Sequence, residues 1–235
     1  MKIVIYRFFA LLYAINFLVT VPIIIILMYI NNKNHRLFRK IWAKLQLKLL
    51  NSNVIIDGTI DNSAQLLIFN HQSLLDIVLL EAIHDNNLCW IAKEEIGKVP
   101  IIGHILKAPK MISVNREDKK GLIKLLKDVK DRLDDNRVIC IFPEGTRSYG
   151  DELLHFKAGA KTIAQKYDLL IQPVVIINTR NVLDSKNFLV KSGDLKVVFC
   201  DSFRPSQKDE NWYKELEIKM GGLYKNELAN FNSNR

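Results

Sequence analysis

Residues 8–30 (FFALLYAINFLVTVPIIIILMYI) run for 23 positions without a charge, and nothing else in the chain limits its fold as strongly. As a helix this run measures ~35 Å, against ~30 Å for the hydrocarbon core of a bilayer. Pro22 removes a backbone donor inside it, and Asn16 and Thr20 are polar interruptions. Two arrangements stay open: one helix long enough to span, or two short helices bent near Pro22 that dip into one leaflet. The run is long for the core of a secretion signal and no small-residue cleavage site follows it, so an anchor that stays on the protein is expected.

Cations come next. Lys33, Arg36, Arg39, Lys40, Lys44 and Lys48 follow the run, whereas Lys2 and Arg7 precede it. This asymmetry places what lies beyond residue 30 on the cytoplasmic side of an inner, cytoplasmic membrane. Within residues 37–50 (LFRKIWAKLQLKLL), Leu37, Phe38, Ile41, Trp42, Leu45 and Leu49 recur at helical spacing, with the cations largely between them. Such a helix suits an anionic lipid surface or packing onto a domain, and its different faces can do both. The net charge of +9 points the same way, toward a membrane surface, nucleic acid, or a phosphorylated or acidic substrate carrier.

From residue 53 the pattern changes. Apolar, β-rich runs occur at 53–56, 66–70, 88–92, 111–114, 138–142, 170–176 and 195–200, with helical patterns at 73–83, 119–133 and 157–167 between them. Strands apolar on both faces and separated by helices predict an α/β fold, a largely parallel central sheet flanked by helices. The chain thus divides into an anchor with its basic helix (1–50) and an α/β domain (51–235), closed by a peripheral charged helix after Pro205. Cys89, Cys140 and Cys200 each sit in an apolar run. That argues for small buried hydrophobes in a reducing compartment and against disulfides or a metal site.

In FNHQSLLDI (69–77), His71 and Asp76 stand five apart just after the strand run. Five residues turn a helix by about 140°, so the two meet only if His71 lies in the turn before the helix. Ser73 is then a candidate N-cap, and Ser73-x-x-Asp76 has the form of a capping box with Asp in place of Glu. Asp76 either caps the helix or orients His71 as a general base, as in the His–Asp half of a hydrolase triad. No Gly-x-Ser-x-Gly elbow supplies a nucleophile, so a base here serves a substrate hydroxyl.

FPEGTRS (142–148) follows another strand run. It puts Glu144, Thr146 and Arg147 at the carboxyl edge of the sheet, where open α/β sheets bind ligands. Gly145 gives conformational freedom, Arg147 offers a fork for phosphate, and Glu144 can accept from hydroxyls. Arg116, just past the 111–114 run, is a second candidate phosphate ligand. Lys157 opens a helix whose N–H groups could bind an anion, and Pro173 belongs at the start of its strand or at a sheet edge.

Asn70-His71-x4-Asp76, Arg116, Phe142-Pro143-Glu144-Gly145-Thr146-Arg147 and the Pro173 strand stand in the order of the four blocks of the glycerolipid acyltransferases. The chain resembles that family, and within it the bacterial 1-acylglycerol-3-phosphate acyltransferases; Asn115 replaces the Asp often found before the arginine of the second block. The resemblance covers residues 66–177. It implies acyl transfer from acyl-CoA or acyl carrier protein to the sn-2 hydroxyl of a lysophosphatidate. His71 and Asp76 would be catalytic, Arg116 and Arg147 would hold the phosphate, and Glu144, Gly145 and Thr146 would shape the acceptor pocket. Metal, cofactor and nucleic acid would have no part.

Overall fold

The computed structural model describes residues 2–115 and 120–233. Each expected strand run forms a strand: β1 (Val54–Asp57), β2 (Leu66–Phe69), β3 (Leu88–Lys93), β4 (Ile112–Val114), β5 (Val138–Ile141), β6 (Ile171–Ile177) and, beyond a short ribbon of β7 (Leu183–Asp184) and β8 (Leu189–Val190), β9 (Leu195–Phe199). They join one sheet of order β1-β9-β6-β2-β5-β3-β4. Neighbours run parallel except β6 and β9. The helices are α1 (Lys2–Ile30), α2 (His35–Leu49), α3 (Leu75–Ile83), α4 (Glu94–Lys98), α5 (His104–Lys107), α6 (Lys120–Asp134), α7 (Ala158–Tyr167), α8 (Thr179–Val182) and α9 (Trp212–Ser233). This is the α/β architecture expected.

Strand side chains alternate between two cores. Leu67, Phe69, Trp90 and Cys140 pack with α2 and α3 on one face; Leu66, Ile68, Cys89 and Ile139 pack with α6, α7 and α9 on the other. The cysteines are free, and burial pushes all three thiols up.

One expectation changes, and two alternatives left open are decided. The tail helix is not peripheral: Trp212, Leu216, Met220 and Tyr224 of α9, four apart, are all buried in the second core. Pro173 is the third residue of β6, near the start of an interior strand rather than at a sheet edge. It is tolerated because Cys200 N–H still donates to Pro173 O at 2.9 Å, while Cys200 O, which a donor at 173 would face, accepts Gln172 Nε2 at 3.1 Å instead. Of the two arrangements open for the apolar run, α1 is the single continuous helix, running through Pro22.

The body follows α1 along its length. Lys191 lies 5.2 Å from the ring centre of Tyr6 near one end, and the Tyr29 hydroxyl is 2.7 Å from His104 Nδ1 at the other. Between them Ala10, Val21, Ile24, Ile25 and Met28 are buried, and Trp42 Nε1 donates to Thr20 Oγ1 at 3.0 Å. The polar interruptions of the apolar run therefore belong to the stripe facing the body. The opposite side exposes Phe8, Phe9, Leu12, Ile15, Leu18 and Ile26.

Helix α2 divides its faces between the outside and the body. Leu37, Ile41, Leu45 and Leu49 are exposed, while Arg39, Ala43, Gln46 and Leu47 are buried against the body. Arg39 is tolerated inside because it pairs with Glu81 and donates to Leu88 O at 3.2 Å and Asn87 Oδ1 at 2.8 Å.

Candidate active site

The carboxyl ends of β2 and β5, neighbours in the sheet, bring FNHQSLLDI and FPEGTRS together. At the end of β2, Asn70 extends the ladder with its side chain: its Nδ2 donates to Ile176 O at 2.8 Å and its Oδ1 accepts from Ile176 N–H at 2.7 Å. The next residue, His71, leaves the strand and lies in the turn before α3, as the five-residue spacing requires.

Asp76 is fully buried in the first turn of α3. Its Oδ2 is 2.8 Å from His71 Nδ1, and it also accepts Gln72 N–H at 2.7 Å and Ser73 N–H at 2.9 Å. Its Oδ1 accepts the Thr179 hydroxyl at 2.5 Å. Capping and orienting the imidazole are thus done by one oxygen. The hydroxyl half of the capping box differs from expectation: Ser73 Oγ accepts from Leu75 N–H at 3.1 Å, two residues on, and donates to Leu183 O at 2.7 Å. With Nδ1–H directed at Asp76, the lone pair of His71 lies on Nε2, the basic nitrogen. The ring stacks on Phe142 at 3.9 Å and 17°, and Phe142 stacks on Trp90 at 5.5 Å, so a wall of aromatic rings backs the imidazole.

The second motif grips the peptide of His71. Glu144 Oε1 accepts His71 N–H at 2.7 Å, and Ser148 N–H donates to His71 O at 2.8 Å. The other oxygen of Glu144 accepts Leu154 N–H at 2.7 Å. Glu144 is buried, and burial pushes its carboxyl up to about 7, the two N–H groups opposing and Asp76 adding to the rise. Gly145 has φ +75°, the backbone that the motif's glycine was expected to allow. Thr146 is exposed; Arg147 is half-buried and donates to Ser185 Oγ at 2.7 Å, on the turn of the β7–β8 ribbon.

His71, Asp76, Glu144, Gly145, Thr146 and Arg147 are therefore gathered at one sheet edge. Arg116 and Lys119 lie outside the described residues; the helix expected over 119–133 is seen from Lys120. Lys157 precedes the first residue of α7 and donates its N–H to Pro143 O at 2.9 Å. Thr179, Ser148 and the stacked face of Phe142 are the parts that motif spacing did not single out. Ser148 and Phe142 end and begin the FPEGTRS stretch, but Thr179 lies 103 positions from its partner. What the arrangement can do is remove a proton at Nε2 with a carboxylate fixing the ring behind it, the positional requirement for general-base catalysis.

The comparisons with known proteins bear on the family and the fold. A family model described as Acyltransferase matches residues 51–177. A 1-acyl-sn-glycerol-3-phosphate acyltransferase of Helicobacter pylori is 42% identical over 214 residues, 90% of each chain. A lyso-ornithine lipid O-acyltransferase of Rhizobium meliloti is 30% identical over 69% of this chain and 58% of its own. The crystal structure of PlsC, the 1-acyl-sn-glycerophosphate acyltransferase from Thermotoga maritima, superimposes with a TM-score of 0.77 over 97% of this chain and 99% of its own, at 19% identity, a likeness of fold.

Proposed function

The chain belongs to the acyltransferase family, and from that premise we propose that it moves an acyl group from a thioester, acyl-CoA or acyl carrier protein, to the sn-2 hydroxyl of 1-acylglycerol-3-phosphate. The observation that carries this is the His71–Asp76 pair at 2.8 Å, a base whose free Nε2 faces a site where the motifs offer no side-chain nucleophile. Nε2 takes the proton of the acceptor hydroxyl as its oxygen bonds to the thioester carbonyl carbon. Collapse of the tetrahedral intermediate breaks the C–S bond, and the imidazolium returns the proton to the departing thiolate. Ester and thiol are the products; the thioester is already activated, so the step needs no cofactor. Asp76 holds the ring and stabilises the imidazolium, while Arg147, with Arg116, holds the acceptor phosphate.

The same reading places the protein on the cytoplasmic leaflet of a membrane. Helix α1 is long and apolar enough to cross one. Because the body follows it from Tyr6 to Tyr29, crossing would drag Lys191 and the β7–β8 ribbon into hydrocarbon. An orientation in the plane of the leaflet, apolar side down, avoids that cost and presents the site to an acceptor that lives in the bilayer.

The test is an acyl-transfer assay on detergent-solubilised protein, following thiol release and phosphatidate together. His71→Ala should fold and lose at least ~10²–10⁴-fold in turnover; an unchanged rate would remove His71 from the chemistry. The Rhizobium relative's name gives another lysolipid as acceptor, so the assay includes lyso-ornithine lipid. Faster transfer to that lipid would replace the acceptor and keep the reaction.

A further inference from the structure

The turn between α4 and α5, residues 99–103 (VPIIG), is built rigidly and points apolar side chains outward. Ile102 N–H donates to Pro100 O at 2.6 Å, Gly103 N–H to Val99 O at 2.8 Å and His104 N–H to Ile101 O at 3.0 Å. A methyl group on Gly103 would sit 2.4 Å from Gly97 O, so this tightness needs glycine. Ile101 has φ +61°, a left-handed backbone that a β-branched residue adopts only at a cost. Its side chain is nevertheless 63% exposed, with Val99 and Ile96 exposed beside it. In water neither the strain nor the exposure has any return.

The turn does not stand alone. It faces Phe17, Leu18, Val21 and Pro22 of α1 across a cavity of about 150 Å³, and Leu18 on the other rim is 61% exposed. Ile101 therefore continues the apolar side of α1. Exposed cations flank the combined surface: Lys98, Lys107 and Lys110 near the turn, Lys33, Lys44 and Lys48 on the side of α2. We infer that the Ile101 turn is a second membrane contact, entering the same leaflet as α1 with the acyl chains of anionic lipid as its partner. Helix α1 alone lets the body rock about its axis; a further point of insertion away from that axis opposes the rotation and fixes the height of the site above the bilayer. The inference rests on the membrane association proposed above.

The test uses the full chain and vesicles of phosphatidylethanolamine and phosphatidylglycerol. Ile101→Asn keeps a residue at ease in left-handed backbone, so the protein should melt no lower than the parent, yet its partitioning onto vesicles should weaken by roughly tenfold. Ile123→Asn removes a 74% exposed isoleucine of α6, on the opposite sheet face, and should change partitioning less than about twofold. In a Cys200→Ser background, an environment-sensitive dye on Ile101→Cys should shift to the blue with vesicles, and the same dye on Ile123→Cys should not. A parent that binds vesicles while the dye at 101 stays in water, or an Ile101→Asn variant that binds like the parent, overturns the turn's role and leaves the membrane reading intact. A parent that does not bind vesicles overturns both.

Discussion

Glu144 holds two backbone N–H groups from different loops, and one of them belongs to the residue that carries the base. Glutamine supplies one acceptor and turns an NH₂ toward the other donor, so Glu144→Gln leaves a buried N–H unpaired at about 1–3 kcal/mol and loosens the His71 peptide. The effect carries a pH signature. Its folded carboxyl titrates at about 7, above the ordinary 4.5, so the bound proton favours the folded chain. That contribution is full below pH 4.5 and is lost as pH rises through about 7. The parent's advantage over Glu144→Gln in urea melts should accordingly be larger at pH 5 than at pH 8, and an advantage that grows with pH would refute the assignment. At this scale the sequence was informative where partners are close along the chain. The His71-x4-Asp76 spacing implies a turn before a helix, and the structure has one. Thr179 was invisible because only the neighbouring of β2 and β6 brings it to Asp76.

Helix α2 shows what hydrophobic spacing cannot decide. Its apolar stripe at Leu37, Ile41, Leu45 and Leu49 is regular, yet that stripe faces outward and Arg39 and Gln46 face the body. A stripe marks the surface that avoids water, and a lipid surface serves as well as a core. Only the partners, Glu81 and Asn87 more than forty positions away, identify the inner face. Arg39→Ala should lower stability by about 3–5 kcal/mol, because it strands the Glu81 carboxylate, which also accepts Trp90 Nε1 at 2.8 Å. Lys40→Ala, whose partner Asp85 is exposed, should change it by no more than ~1 kcal/mol. Thermal melts of the two variants distinguish them; equal losses would mean that Arg39 contributes only as a surface charge. Helix α9 misleads for the related reason that its four-residue period is hidden among lysines and glutamates.

For the molecule as a whole, continuous apolar runs made the seven strands of the sheet legible, while the β7–β8 ribbon and the order of the strands were not. Nothing in the sequence near β1 says that it pairs with β9, or that β2 ends up between β5 and β6. Stability toward acid is also a property of the whole. Burial first, then Arg39 and Arg137, lowers His35 to about 4; burial also lowers His84 to about 4, with Asp85 opposing and Arg36 and Lys40 assisting. His84 Nδ1 accepts Asn86 N–H at 3.1 Å, a bond that protonation there would abolish. Folded values below the ordinary 6.5 mean that stability is full above pH 6.5 and is lost as pH falls toward 4, on the order of 3 kcal/mol for buried His84 and less for partly exposed His35, where solvent screens the charge. Glu144 works in the opposite sense, one group against two, so urea midpoints should fall between pH 6.5 and 4. A His84→Gln variant should flatten the decline; a parent equally stable at both ends would mean that these histidines charge without penalty.

The way α1 is held has a practical consequence. Membrane enzymes are often made tractable by trimming the lipid-facing segment from a body that is complete without it. Here the segment is one wall of the body: removing it would uncover Phe38, Trp42, Ile105 and Ala108, which pack against Phe17, Val21, Ile24 and Met28. A trimmed chain would exchange one greasy surface for another, so this enzyme has no water-soluble edition to be cut out of it.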